Sequence, residues 1–383
     1  MSKNPNRVLS GTLQIKNMHQ FFGARVVLIT DDYSLKIRAG SFNIEVQGLN
    51  DDIPDSEEVY QTIAEADITA EDYEFLMKNG AVTLPGYIHH PYANMHILLK
   101  HGQLPSVLCR YIQRNKLLRT VSSFKQGVWD IFPKNTEQAA SLDLLTDPAV
   151  DIVILAGKAG TGKTLLALAA AMEQLYRGDS YTKILVSRPI IPMGRELGYL
   201  PGDLEQKIEP WMQPIFDNLE YLQTRAGSRA GKMNDYRRLI EKNVIEIEAL
   251  SYIRGRSIPN RYMIVDEAQN LTPHEIKTIV TRAGEGTKIV LTGDPYQIDN
   301  AYLDSASNGL TYVIEKLKDE DAAGHVCLLK GERSRLADRR SRPPPGRRSR
   351  RHYSRAGTDA EFLFQVFHQL GKFQNGHVRD MLN

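Results

Sequence analysis

From residue 151 onward, short runs rich in β-branched and aliphatic residues recur at DIVIL, KILVS, VIEIEAL, YMIVDEA and KIVLTGD, with helix-like segments between most of them. A strand with one wet face alternates apolar and polar residues, whereas long apolar runs without alternation are the pattern of strands covered on both sides. Strands alternating with helices predict an α/β fold, a mainly parallel sheet with helices on both faces. Nearer the N-terminus, the run VVLIT at 26–30 precedes Asp31, Asp32 and the helix-like YSLKIRAGSF, which reads as strand, acidic turn and helix. Between Gln47 and Thr120 the periodicity is poor and breaks such as DDIPDSEE and LPGYIHHPY intervene, so loops with short strands are expected. No repeat of roughly 20 to 50 residues appears, which argues against a solenoid.

Composition narrows this picture without redirecting it. The 383 residues, 42% hydrophobic and 25% charged, suit two domains or one large domain with appendages. Cys109 and Cys327 stand far apart without a Cys-x-x-Cys pair or Cys/His cluster, so neither a disulfide framework nor a zinc site is indicated, and a reducing cytoplasm fits. The opening MSKNPNRVLSG lacks the apolar stretch of a signal peptide, and no run approaches the ~20 apolar residues of a membrane span. A soluble protein with no membrane contact is expected. The net charge of +2 conceals an asymmetry, because residues 333–355 hold ten arginines against the single Asp338. The main body is therefore mildly acidic, and nucleic acid would need a local groove.

Chemistry concentrates at the ends of the apolar runs. Gly157-Lys158-Ala159-Gly160-Thr161-Gly162-Lys163-Thr164 fits G-x-x-x-x-G-K-[ST], preceded by IVILA and followed by the helix-like LLALAAAMEQL. Its glycines let the backbone curl so that successive amides and the positive end of the next helix face phosphate. Lys163 is then placed to reach the β- and γ-phosphates, and Thr164 to offer its hydroxyl to magnesium. Arg261-Tyr262-Met263-Ile264-Val265-Asp266-Glu267 is an apolar strand ending in two carboxylates, where a parallel sheet presents side chains to a ligand. Asp266 is expected to hold magnesium through water. Glu267 is expected to polarise the attacking water, since phosphoryl transfer needs orientation and electrostatic stabilisation more than covalent help. Alone, Asp-Glu before AQNLT would read better as an acidic helix start; behind a phosphate loop the catalytic reading wins.

KIVLT leads to Gly293-Asp294-Pro295-Tyr296-Gln297, where Gln297 is the candidate to sense the γ-phosphate with Asp294 behind it, against the alternative of an ordinary Gly-Asp-Pro turn. Asn135-Thr136-Glu137-Gln138 is a helix-capping pattern, and the Gln138 amide could pair with both edges of adenine. Arg188, Arg254, Arg256, Arg282 and Arg333 stand in or beside these motifs as candidates for neutralising transition-state charge or nucleic-acid phosphates, though each alone reads as a solvated or ion-paired residue. The 194–222 insertion, with its prolines and Trp211, reads either as a subunit or RNA contact or as a packed satellite hairpin.

GKAGTGKTLLALAA, VSRPIIPMGRELGYLPGDLEQKIEPWMQPIFDNL, SYIRGRSIPNRYMIVDEAQN, TRAGEGTKIVLTGDPYQID and HVCLLKGERS resemble, in that order, the motifs of the PhoH-like ATPase family over about residues 126–335. The resemblance implies a RecA-like P-loop NTPase core similar to superfamily 1 helicases. GKAGTGKT would be its Walker A element, DEAQ at 266–269 its Walker B element and GDPYQ at 293–297 its sensor. It further implies ATP and Mg2+ as cofactors, single-stranded RNA as partner and a homo-oligomer such as a hexameric ring, with Arg333 of GERS as a finger across the ring interface. VVLITDDYSLKIRA is similar to the closing strand and helix of a PIN nuclease domain, which implies Asp32, with Asp31 beside it, as a metal residue of a fused ribonuclease.

Two departures from the family pattern follow. Where that pattern would place an aspartate before N-R-[IV]-L, this sequence has Pro5, so the nuclease reads as truncated and inactive, or the start codon as chosen too late. After GERS, RLADRRSRPPPGRRSRRHYSRAG reads as a shifted frame in preference to a basic nucleic-acid tail. The resulting division is a truncated PIN-like segment (1–75), a linker with short strands (76–125), the PhoH-like P-loop ATPase domain (126–335) and a divergent basic tail (336–383). The expected function is an RNA-directed, magnesium-dependent ATPase motor. Its rival is a nucleotide-gated regulatory or binding protein that unwinds nothing, and an active PIN ribonuclease ranks third.

Overall fold

A computed structural model describes residues 5–19, 26–30, 44–47, 63–88, 91–178, 181–190, 204–225, 236–253, 257–300, 303–305 and 307–331, with the single residues 35, 39 and 42. Contacts divide the chain into two units, Met1–Ser56 and Glu57–Asn383. In the first, α1 (Pro5–His19) accompanies β1 (Val27–Ile29) and β2 (Glu45–Gln47), which pair in parallel. Leu9, Leu28, Leu35, Ala39 and Ile44 form its core. Leu35 and Ala39 are both helical and buried. The expected strand is thus present, while Asp31, Asp32 and most of the stretch read as a helix lie outside the described residues.

The second unit begins with a small mixed sheet. Its elements are β3 (Ala64–Asp67), α2 (Ala70–Asn79), β4 (Ala81–Thr83), β5 (His96–Lys100), β6 (Val107–Ile112) and β7 (Leu117–Thr120), in strand order β3-β5-β6-β7-β4. Only β3 and β5 run parallel. The Thr69 hydroxyl accepts from the Asp72 amide to start α2, and Gly80, at φ 73°, ends it. Ile68, Tyr73, Leu76, Val82, Ile97, Leu99 and Leu118 are buried between helix and sheet. Residues 76–125, expected as a linker with short strands, contain four of these strands, and position 75 falls inside α2. Strands of three to six residues bury at most three side chains each, too few for a visible period.

The larger sheet contains β8 (Ile152–Gly157), β9 (Lys183–Arg188), β10 (Ile245–Ala249), β11 (Arg261–Val265), β12 (Lys288–Gly293) and β13 (Ala323–Leu328). All pairings are parallel, in the order β10-β9-β11-β12-β8-β13. Helices α3 (Thr136–Thr146), α4 (Lys163–Arg177), α5 (Leu204–Arg225) and α6 (Tyr236–Glu241) share one core with Val153, Leu155, Tyr262 and Ile264. Helices α7 (Pro273–Val280) and α8 (Gly309–Leu317) share the other with Ile152, Ile154, Met263 and Val265. Successive strand residues thus feed opposite cores, each buried aliphatic side chain contributing about 1.5–3 kcal/mol. The five runs read as strands are strands, and residues 204–222 of the 194–222 insertion belong to α5. With β12 between the loop-bearing β8 and the carboxylate-bearing β11, the fold is that of a RecA-like P-loop NTPase. Among the described residues, no helix is long and apolar enough to cross a membrane.

A polar seam ties the small sheet to the large one. Asn94 donates to the Asp321 and Ala323 carbonyls, both at 2.8 Å. Arg110 pairs with Asp143 at 3.2 Å and with Asp147, which Arg119 also meets. His96 contacts Asp143 at 3.2 Å, and Tyr92 stacks on His325. Burial lowers the pKa of His96 and pushes that of His325 down to about 4.

Candidate nucleotide site

Because β11, β12 and β8 are successive neighbours, the P-loop, Asp266-Glu267 and the 293–297 segment emerge side by side at the carboxyl edge of the sheet. Gly157 ends β8 in register with Leu328 of β13, and a Cβ there would stand 2.1 Å from the Leu328 carbonyl oxygen, so only glycine fits. Gly162, at φ 94°, turns the chain into α4, leaving the first helical amides pointing out of the loop. The Thr161 side chain folds onto the Lys158 carbonyl at 2.9 Å. Lys163 donates to the Gly157 and Lys158 carbonyls at 2.7 and 3.0 Å. Burial lowers its pKa, and the nearby carboxylates of Asp294, Glu267 and Asp266 oppose that shift.

Thr164 donates to Asp266 Oδ1 at 2.8 Å, and Thr292 of β12 donates to the same oxygen at 2.6 Å. The sequence expectation had joined the first two; Thr292 was missed, although it is a lone hydroxyl in the apolar run KIVLTG. One hydroxyl and one carboxylate, hard oxygens with room for phosphate and water, are a donor set suited to magnesium. Among the described residues no cluster of three or more His, Cys, Asp or Glu gathers.

Glu267 follows in the left-handed region, φ 56° and ψ 38°, an uncommon conformation for a residue with a Cβ. Its carboxylate is held from both sides. Arg188, the last residue of β9, donates to Oε1 at 3.1 Å, and Gln269 donates to Oε2 at 2.6 Å. The fully buried Gln269 also donates to the Gln297 carbonyl at 2.8 Å and accepts from the Asp294 amide at 3.1 Å. Asp294 in turn accepts from the P-loop amide of Ala159 at 3.0 Å. One hydrogen-bonded chain therefore runs from the P-loop to Glu267. The sequence signal was the fourth letter of DEAQ, whose partners only the fold could reveal.

Other candidates divide. Gln138 is buried, donating to the Thr161 carbonyl at 3.0 Å and accepting from the Lys134 amide at 2.9 Å, while Asn135 caps α3 as expected. An amide has two hydrogens and two lone pairs, so each end of Gln138 keeps one to spare. The Gln297 side chain is exposed, with its backbone carbonyl fixed by Gln269. Arg282 lies beyond α7, lining a separate cavity with Pro189, Leu250 and Ile279. Arg254, Arg256, Arg333 and Asp32 lie outside the described residues.

A family model described as PhoH-like protein matches residues 130–339. Over 340 residues the chain is 42% identical to Protein PhoH2 of Bacillus subtilis (strain 168), spanning 87% of this chain and 76% of that protein. Over 321 residues it is 34% identical to Protein PhoH2 of Mycolicibacterium smegmatis, spanning 82% and 69%. Among solved structures, the DUF1998 helicase MrfA bound to DNA aligns with 54% of this chain and 28% of its own, at 13% identity and a TM-score of 0.33. From the span of the family model and the identity to these relatives, the chain belongs to the PhoH-like protein family.

Proposed function

We propose that the chain is a magnesium-dependent ATPase and an RNA-directed motor. The observation that carries this reading is the Thr164–Asp266 hydrogen bond, which joins the residue after the P-loop lysine to a strand-end carboxylate 102 positions away. Thr164 and Asp266 would hold the magnesium, which neutralises charge on the nucleotide oxygens. Lys163 would exchange its two carbonyl partners for β- and γ-phosphate oxygens. Glu267 would orient the attacking water and accept its proton. Gln297 would sense the γ-phosphate, its backbone already tied through Gln269 to Glu267. Adenine would lie beside the Asn135 cap, where Leu108, Val121, Pro133 and Ala139 line a groove and Gln138 has hydrogen-bonding capacity left over. Single-stranded RNA as partner, a homo-oligomeric ring with Arg333 reaching a neighbouring site and a PIN-like segment carrying Asp32 rest on the family resemblance alone. Cytoplasmic location rests on the lack of any disulfide or zinc pattern around Cys109 and Cys327.

The test is phosphate release from ATP and magnesium, with and without single-stranded RNA, for the chain beside Lys163→Ala and Glu267→Gln. Turnover that RNA accelerates and both variants lose is the expected result. Nucleotide binding with turnover indifferent to RNA would instead favour the nucleotide-gated regulatory protein.

A further inference from the structure

We propose that Arg188 is a latch that holds the Glu267 carboxylate in a restrained position and ties it to helix α5. The inference rests on the reading of Glu267 as the group that activates water. Both oxygens of that carboxylate are engaged, Oε1 by the Arg188 guanidinium at 3.1 Å and Oε2 by Gln269 at 2.6 Å. A carboxylate whose two oxygens are both engaged and whose rotamer is held from both sides is poorly placed to orient a water. The other end of the same guanidinium donates to the Trp211 carbonyl of α5 at 3.1 Å. Arg188 therefore bridges two elements that share no strand or helix.

Helix α5 is weakest where Arg188 grips it. Pro210 and Pro214 flank Trp211 within the helix, and each proline removes an intrahelical hydrogen bond and favours a kink. The buried Met212, Ile215, Leu219 and Leu222 keep the helix on the core, so a shift at Pro210 to Pro214 need not unfold it. A small displacement there would pull the guanidinium from Oε1. The Arg188 side chain is 20% exposed and that of Glu267 32%, so the bond between them is accessible to solvent and individually weak. A weak restraint suits a switch, because a modest differential contact is enough to shift its population. The Arg188 latch makes hydrolysis answer to the position of α5, while Gln269 makes the same carboxylate answer to the P-loop.

Arg188→Ala should raise basal ATP turnover about fivefold, the scale of a partly exposed ion pair, with KM for ATP within about twofold of wild type. Arg188→Lys retains the charge and should stay near the wild-type rate, which a merely structural loss would not reproduce. A second readout needs no hydrolysis. Acrylamide quenching of Trp211, taken as the difference from the Trp211→Phe protein, should change in Arg188→Ala and in Glu267→Gln alike. Turnover that is unchanged or slower in Arg188→Ala, with Glu267→Gln inactive, overturns the latch and leaves the ATPase reading standing. Turnover that survives Glu267→Gln removes the role of Glu267 itself, and the latch falls with it.

Discussion

Gln269 offers a prediction whose size can be worked out from its contacts. Gln269→Leu keeps the side-chain volume roughly constant but removes three hydrogen bonds, to Glu267, to the Asp294 amide and to the Gln297 carbonyl. The Asp294 amide is buried and would be left without a partner, costing about 1–3 kcal/mol, while the exposed Gln297 segment can recruit water and lose about 1 kcal/mol. The bond to a charged carboxylate adds about 1–2 kcal/mol, and the apolar Leu returns roughly 1 kcal/mol of burial. We predict a net loss of about 3 kcal/mol, a large share of the ~5–15 kcal/mol typical of a domain. Urea unfolding followed by emission of the buried Trp129 would show this as a midpoint shift of about 1 M, taking an m-value of about 3 kcal/mol/M. Gln269→Glu adds a signature, because its carboxylate would face Glu267 and its loss should shrink as pH falls. A shift below about 0.3 M for Gln269→Leu would refute the hydrogen-bonded chain between P-loop and Glu267.

Three further predictions test other parts of the fold. Lys288 is buried and donates to the Asp147 and Val150 carbonyls, and burial pushes its amine down to about 7 despite Asp147 and Asp151 nearby. Between pH 7 and about 10 the unfolded chain then binds more protons than the folded one, so this group's cost fades as pH rises. The stability of wild type relative to Lys288→Met should climb by about 1 kcal/mol per pH unit in that window, and a flat difference in urea titrations would count against it. Thr292→Val deletes one of the two hydroxyls on Asp266 Oδ1 and should raise the magnesium needed for half-maximal turnover about tenfold; unchanged magnesium dependence would dissociate Thr292 from the metal site. Asn94→Ala loses both bonds to the β13 region at a residue with φ 59°, and should cost about 2–3 kcal/mol by thermal unfolding, with less than 0.5 kcal/mol arguing against the seam.

What could be read from sequence was whatever is local or periodic. The run IVILA before the P-loop is strand-like on its own terms, because an all-apolar strand needs no partner information to be recognised. By contrast β3, Ala-Glu-Ala-Asp, owes its state to pairing with β5, and β13 carries a Gly and a His that break the apolar run. Thr164 and Asp266 could be joined because each belongs to a motif with a chemical reason for it. The partners of Glu267 could not be read in that way, since Arg188 reaches it only because β9 and β11 are adjacent. The motifs mark Arg188 as one candidate arginine among several, but nothing within the stretch from 183 to 188 names Glu267 as its partner.

The place of β8 in the sheet bears on how the protein is made. This strand, whose six residues are all buried, has β12 and β13 as its two neighbours. Both are encoded far downstream, Leu328 about 170 residues after its register partner Gly157, a delay of roughly 10 to 35 s at ordinary elongation rates. Until β12 is made, with Ile289 about 137 residues after its partner Ile152, the nascent chain carries this strand with both edges unpaired, a template for pairing with other chains. One edge stays open until β13 follows. The β9, β11 and β10 strands cannot relieve it, because none of them touches β8. The P-loop at the end of β8 therefore gains both of its flanking strands only once β13 has been made.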